Sequence, residues 1–440
     1  MEAEAEIRRI IERVGRGSGF DLEAVEAALR AAVLLAGARL IERLVGPLGQ
    51  GRQPEAVSCS CGGRMSSRGV EEKTVMTLLG PVRFSRSRYA CTVCGQVRYP
   101  GDELLDVVGT GRSPGLRRMM ARAGSRQTFK EAREDLKVYA GLEVSAKDVE
   151  RVAEATGEQI EGWESSQRPG ILNRQQPPVS EQAVAMMYVE MDGTGVPMVS
   201  GALAGRKGKQ PDGSAKTREV KLGCVFTQTG TDEKGRPMRD AASTSFVGAI
   251  EPAEAFGARL EAEALRRGLD QARKVVLLAD GALWVWNIAE LRFPQAIQII
   301  DIYHAREHVS ELCGMLFAGD AKQLQKYRLR WWSDLDEGHV EKILYQARKR
   351  LPLQGQLRKS AEQQIGYFED NKQRMRYAEF RKQGLFVGSG VVEAGCKHLI
   401  AARLKQSGME WSLRGANAII ALRCNLASGR FEGFWEDRAA

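Results

Sequence analysis

The chain has 440 residues, 43% hydrophobic and 28% charged, an ordinary globular composition; at roughly 150 residues per domain it predicts about three domains. No apolar run approaches the ~18 residues of a membrane span, and the start from Met1 to Glu6 is acidic where a signal peptide would be basic, so membrane and secreted classes are excluded and a cytoplasmic protein is expected. A formal charge of +9 favours a polyanionic partner such as nucleic acid.

Residues 1–52 read as helical. Ile7, Ile10, Ile11 and Val14 fall at helical spacing, and an alanine- and leucine-rich stretch from Leu22 to Leu44 follows a glycine-rich break at Gly15 to Gly19, predicting a packing or dimerisation module. Residues 53–110 hold two cysteine pairs, Cys59 with Cys61 and Cys91 with Cys94, on either side of β-rich sequence around Gly80 and Pro81. Pairs so spaced, in a chain without secretion signals, predict a zinc-ribbon-like module with structural Zn²⁺; because Cys59-x-Cys61 is one residue shorter than the usual pair, an unmetallated hairpin is the alternative. Cys224, Cys313, Cys396 and Cys424 stand singly in apolar sequence and read as buried thiols.

Residues 111–174 read as short helices. Thr128 to Leu136, a turn at Gly141 and a second helix capped by Ser145 fit either a helix-turn-helix or an ordinary helical hairpin. A proline-rich linker at Gln175 to Glu181 then opens a region of different character, residues 182–425. Strands are expected at residues 183–191, 196–203, 218–228 and 242–247, a helix at 253–267, a strand ending at Asp280, a helix at 282–291 and a strand ending at Asp301. That order predicts an α/β, RNase H-like catalytic domain, preceded by the helical and zinc-ribbon-like modules and carrying a helical insertion at about 320–385. Its first and fourth strands would be neighbours, bringing Asp192 and Asp280 to one rim, with Glu393 on an adjacent helix. Three such carboxylates suit Mg²⁺ (or Mn²⁺) in a two-metal site for attack on a phosphodiester. Residues 426–440 read as a tail.

Several sequence blocks together carry a family resemblance: Cys59 to Gly63 with Thr77 to Pro81 and Tyr89 to Cys94; Met191 to Thr194; Arg206 to Lys209 with Asp212 to Lys221; Ala279 to Trp286; Asp301 to Ala305; Gly388 to Glu393; and Met409 to Ala416. In this order, over most of the chain, they resemble the DD(E) transposases of bacterial insertion sequences, specifically the ISKra-type group related to the Mutator-like superfamily. The resemblance implies Asp192, Asp280 and Glu393 as a catalytic, metal-holding triad. It also implies double-stranded DNA, both transposon ends and target, as partner, a homodimer or higher homo-oligomer as the working form, and association with the nucleoid. Asp301-x-x-His304 matches the signature that follows the second catalytic Asp in that superfamily; from the residues alone, His304 is either a satisfied core histidine or oriented by Asp301.

Other residues leave two readings open. Trp284 and Trp286 are either core or stacking platforms for a flipped base. The basic helices between Leu324 and Arg381 are either solvated faces or phosphate contacts. Arg206, Lys207, Lys209, Lys216 and Arg218, in a glycine- and lysine-rich loop, are assigned to DNA together with Lys397, Arg403 and Lys405. Two rival functions remain: an RNase H-like nuclease or resolvase that cuts without joining, and a domesticated DNA-binding regulator.

Overall fold

The computed structural model describes residues 8, 21–53, 57–178, 184–208, 210, 213–240, 242–351 and 354–439, in two compact units, residues 1–153 and 154–440. Ile7, Ile10, Ile11 and Val14, and the loop residue Lys209, lie outside the described residues.

The first unit begins with helix α1, Leu22–Gly49, whose N-cap Asp21 accepts from the Ala24 N–H. Strands β1 (Val57–Ser58), β2 (Arg64–Thr77), β3 (Gly80–Cys91) and β4 (Val97–Arg98) form an antiparallel sheet in that order. The long hairpin turns at Leu78 and Leu79, just ahead of the expected Gly80 and Pro81: the Thr77 hydroxyl accepts from the Leu79 N–H and donates to Gly80 O at 2.8 Å. α1 packs on this hairpin through its small residues; a Cβ on Gly37 would stand 2.7 Å from Leu79. Helices α2 (Pro100–Leu104), α3 (Pro114–Arg126) and α4 (Phe129–Ala140) follow. Thr128 and Glu131 form a reciprocal capping box on α4, Gly141 ends it in the left-handed conformation at φ +69, and Ser145 accepts from Asp148 N–H at the start of α5 (Ala146–Leu172). Leu116, Met120, Ala132, Leu136, Leu142 and Val149 form the core that joins these three helices.

The units divide inside α5, between Ala153 and Glu154, rather than at the proline-rich stretch. The C-terminal half of α5 belongs with the second unit because it is cross-linked there. Gly157 lies against the Ala418 carbonyl, Glu161 pairs with buried Arg259 at 2.7 Å, and Glu164 accepts from Arg430 at 2.9 Å.

The second unit is built on one mixed sheet. Its strands are β5 (Met186–Pro197), β6 (Thr217–Gln228), β9 (Ser245–Ala249), β10 (Lys274–Ala279) and β11 (Ile297–Ile300), with β7 (Gly230–Thr231) and β8 (Pro237–Met238) a small hairpin apart. The order is β11-β10-β5-β6-β9, with β5, β10 and β11 parallel and β6 antiparallel to both its neighbours. Buried Met187, Val189, Val225, Val276, Leu277, Leu278 and Ile299 make it the centre of the core.

β5 does not stop at Asp192 to be followed by a separate strand at 196–203; it runs through to Pro197, and residues 200–202 form a short 3₁₀ turn. Gly193 and Gly195 are strand residues opposite crowded neighbours: a Cβ on Gly193 would meet Glu219 Oε1 at 2.7 Å, and one on Gly195 would meet Thr217 Oγ1 at 2.9 Å.

Helices α6 (Ala253–Arg266) and α7 (Leu283–Arg292) connect strands, and α8 (Ile302–Leu316) leaves β11. Helices α9 (Ala321–Asp336), α10 (Val340–Arg348), α11 (Gln356–Asn371) and α12 (Tyr377–Lys382) form the expected insertion. α13 starts at Gly390, passes through a π turn at Cys396–Ala401 and ends at Leu404; α14 is Leu413–Ala427. Residues 431–439 are helix α15 rather than a tail, held by buried Phe431, Phe434 and Trp435 and by Arg430, which is paired with Glu164 and Glu263. No helix among the described residues is long and apolar enough to cross a membrane.

Candidate functional sites

The first candidate is a cluster of four thiols. Cys59 Sγ lies 3.6 Å from Cys94 Sγ, Cys61 Sγ lies 3.6 Å from Cys91 Sγ, and the four sulfurs fall within 4.8 Å of one another. A tetrahedron of sulfurs about 2.3 Å from a central ion has edges of about 3.8 Å, so the donor set fits a metal. The chain builds two tight turns to achieve this. Gly62, at φ +81, lets its N–H reach Cys59 O at 3.0 Å, and Gly95 N–H donates to Cys91 O at 3.1 Å. Gly63 leaves room for the sulfurs: its Cβ would stand 3.0 Å from Cys91 Sγ. Backbone N–H groups of Cys94 and Val93 hold the Cys91 thiol down to about 6, so it is largely thiolate at neutral pH.

The second candidate is the acidic rim of the central sheet. The last residue pair of β10 with β5 is Ala279 with Met191, so Asp280 and Asp192 are the next residues on adjacent parallel strands. The β5–β6 ladder continues beyond this point, and only the β10 edge forms a rim. Asp280 turns away at Gly281, φ +105, and its Oδ1 accepts from Ala282 N–H at 3.0 Å, which starts α7. Asp192 Oδ1 accepts from its neighbour's Gly193 N–H at 2.6 Å, and the Cys396 thiol, presented by the π turn, donates to the same carboxylate. Glu393 stands on the first turn of α13, exposed, with Ser389 Oγ 3.0 Å from its Oε1.

These acids sense one another. Burial raises Asp192, the Cys396 and Gly193 donors oppose that, and the Asp280 charge raises it further. Burial also raises Glu393, against its Ser389 bond, and Asp301 and Asp192 add to the rise. Their oxygens do not close into a group within 4.8 Å, as the four thiols do. The arrangement is an open cluster of carboxylates whose charges raise one another.

Asp301 holds this rim in place. It is 1% exposed, caps α8 by accepting from His304 N–H at 2.7 Å, and its other oxygen accepts from Ser389 N–H at 2.6 Å and lies 3.0 Å from Ser389 Oγ. His304 Nε2 lies 3.1 Å from His308 Nε2; His308 stacks on Tyr367 at 3.9 Å and meets Gln364 Oε1 through Nδ1 at 2.6 Å. The Tyr367 hydroxyl donates to Asp280 O at 3.3 Å, so α11 of the insertion borders the acids.

Glu190 was not anticipated. It is fully buried two residues before Asp192, on the same face of β5, and its Oε2 accepts from Val392 N–H at 2.8 Å, beside Glu393. Burial pushes it up to about 8. An acid inside the apolar run from Met186 to Met191 is the signal that could have found it.

Two assigned DNA contacts are corrected by burial. Trp286 is 5% exposed beneath the Arg374 guanidinium, 4.3 Å from its ring, and is core. Arg403 is fully buried, 5.1 Å from the Trp411 ring, and reaches no phosphate. Trp284 is half-buried, with Lys221 Nζ 5.3 Å from its ring. Arg206, Lys207, Lys216 and Lys397 are exposed; Arg218 is half-buried and lowered by burial, then by the Arg206 charge. Lys405 donates to Thr194 Oγ1, two residues beyond Asp192. In the insertion much of the basic charge is spent internally: Arg358 on Glu362, Arg376 and Arg348 on Glu341 and Glu369, Arg381 on Asp336 and Lys342 on Asp334. That cation on Asp334 also accounts for the other acid-and-histidine group, Asp334, Glu337 and His339.

The structure is thus a two-unit α/β protein with a thiol cluster in one unit and a carboxylate rim in the other. The chain belongs to UPF0236, an uncharacterised protein family, whose model matches residues 63–438 and so takes in all three rim acids. Comparison with curated proteins gives no match.

Proposed function

We propose that the chain is a DNA transposase that binds the terminal inverted repeats of an insertion sequence and catalyses strand cleavage and strand transfer. An RNase H-like catalytic domain is part of this reading, and the strand order, with the second strand antiparallel and the fourth beside the first, supports it. The observation that carries the reading is that Asp192, within β5, and Asp280, just past the end of β10, stand side by side on adjacent parallel strands in one electrostatic cluster with Glu393.

Asp192, Asp280 and Glu393 would hold Mg²⁺ or Mn²⁺, which supplies activation of the attacking oxygen and neutralisation at the leaving one. The protein's part is positioning, which dominates phosphoryl transfer. Asp301 fixes the backbone entering α13 through Ser389, Glu190 fixes Val392, and Cys396 with the Gly193 N–H orients Asp192. Because the rim is negative, DNA must be held by cations around it; exposed Arg206, Lys207, Lys216 and Lys397 fit that role, with Lys405 beside Thr194. Cys59, Cys61, Cys91 and Cys94 fit a structural zinc, and two copies would bring two element ends together.

The test is a cleavage and joining assay on paired end DNA with Asp192→Asn, Asp280→Asn and Glu393→Gln, which keep shape and remove a charged ligand oxygen. Each is expected to abolish both steps while end binding survives, and exposed Glu410→Gln, beyond the end of α13, is expected to retain both. Cutting without joining by the wild type would make the protein a nuclease or resolvase. End binding without either step would make it a regulator. Full activity in Asp192→Asn would refute the reading.

A further inference from the structure

Helix α1 is amphipathic in an unusual sense: it has two apolar faces. One is used inside the first unit, where Ala32, Ala38 and Gly49 are buried and Gly37 meets Leu79. Turned away from Ala38 and Gly49, and between the directions of Ala32 and Gly37, Leu22, Leu29, Val33 and Leu40 are 56%, 41%, 65% and 58% exposed. At 100° per residue these four fall within a narrow stripe, and Ala36 lies beside them. Their spacing is heptad-like. Leu22, Leu29, Ala36 and Arg43 occupy one seam position, and Glu26, Val33, Leu40 and Pro47 the other.

We propose that this stripe is a self-association surface, on which α1 packs antiparallel against α1 of a second copy. The register follows from the seam. With the two-fold axis passing between Leu34 and Leu35, Leu29 faces the partner's Leu40, Val33 faces the partner's Ala36, and Glu26 faces the partner's Arg43. Each layer joins one seam position to the other, as antiparallel packing requires, and the contact is isologous. Charge chooses the direction. Antiparallel pairing sets Glu26 against Arg43 at both ends of the interface, whereas parallel pairing would set Glu26 against Glu26 and Arg43 against Arg43. From Leu22 to Pro47 the seam is about 38 Å long at ~1.5 Å per residue. Val138 and Tyr139, 66% and 73% exposed, lie where Arg30 of α1 donates to Tyr139 O, and widen the apolar surface beside the seam.

This inference deepens the two-copy form in the transposase reading and rests on that reading only for the number of copies; its test uses no DNA, so either can fail without the other. Sedimentation of the full chain at micromolar concentration is expected to give a dimer. Glu26→Arg or Arg43→Glu alone is expected to raise the dissociation constant on the order of 30-fold or more, because each places like charges in two symmetric layers, and the double variant to restore it. Leu29→Asp with Leu40→Asp is expected to give monomer with unchanged helix content by circular dichroism. A monomeric wild type would overturn the proposal and leave the stripe to the chain ahead of Leu22. A dimer untouched by Leu29→Asp with Leu40→Asp would overturn it in favour of another surface. Failure of the double charge variant to restore association would overturn the register.

Discussion

Replacing Glu190 by Gln is expected to stabilise the second unit at neutral pH and to flatten its pH dependence. The carboxyl is fully buried and titrates at about 8 instead of 4.5, with burial as the main cause, opposed by the Val392 N–H. A raised acid works against folding as pH rises: below 4.5 both states carry the proton and there is no penalty, and the loss grows until the native group ionises near 8. Between those limits stability falls by about 1.4 kcal/mol per pH unit, which at pH 7 amounts to about 3 kcal/mol. Gln carries no titrating proton, is close in shape and still accepts from Val392. The difference between variant and wild type should therefore be small near pH 5 and grow by roughly 1 kcal/mol per pH unit towards pH 7.5. Urea unfolding in magnesium-free buffer measures it. All seven tryptophans lie beyond residue 153, so their fluorescence reports on the second unit alone. Parallel stability–pH curves for the two proteins would refute the assignment of a neutral acid beneath the rim. Glu190→Ala, which leaves Val392 N–H without its acceptor and opens a cavity, is expected to destabilise at every pH.

Freshly purified protein is expected to carry about one zinc per chain by elemental analysis, and Cys91→Ser or Cys94→Ser to lose it; zinc-free wild type would reduce the thiol cluster to a packing motif. Neutralising Arg206 and Lys207 together should lower the slope of log affinity against log salt by about 1.8 for any DNA sequence, and an unchanged slope would place both side chains in solvent. Arg430→Met leaves Glu263 buried with only Arg266 and is expected to cost about 3–5 kcal/mol in the second unit, measured by the same unfolding signal. Burial raises Glu263 but Arg430 and Arg266 overcome it and hold it near 2, so its contribution is present above 4.5 and lost as pH falls towards 2; loss of stability at neutral pH alone would separate this pair from surface charge effects.

What the sequence made legible was mainly what short-range pattern encodes. The apolar runs ending at Asp280 and Asp301 are strands, the stretch from Thr128 to Leu136 is helical, and the two cysteine pairs meet because a hairpin has to return. What stayed hidden depends on neighbours remote in the chain. Gly193 looked like a strand end, yet it continues the strand, paired with Lys221 across the ladder. Arg403 is written like any exposed cation and is interior because Trp411 folds over it. Trp286 admitted a surface role until Arg374, arriving from the insertion, covered its ring. Glu190 passed for a charged strand residue; its carboxyl is held in the core by the Val392 N–H and the Cys224 thiol, both remote in the chain.

Asp301 has a consequence for how such a chain can vary. It follows Asp280 by one short helix and strand, and through Ser389 it pins the start of α13 directly. The location of Glu393 is therefore set by a carboxylate close to the second acid in sequence, and residues 318–382 form a detour whose two ends are tied at the same knot. A change of length in that detour away from Gln364 and Tyr367, which reach the site, would leave the third acid where it is, so Asp301 and Ser389, rather than a count of residues, locate Glu393.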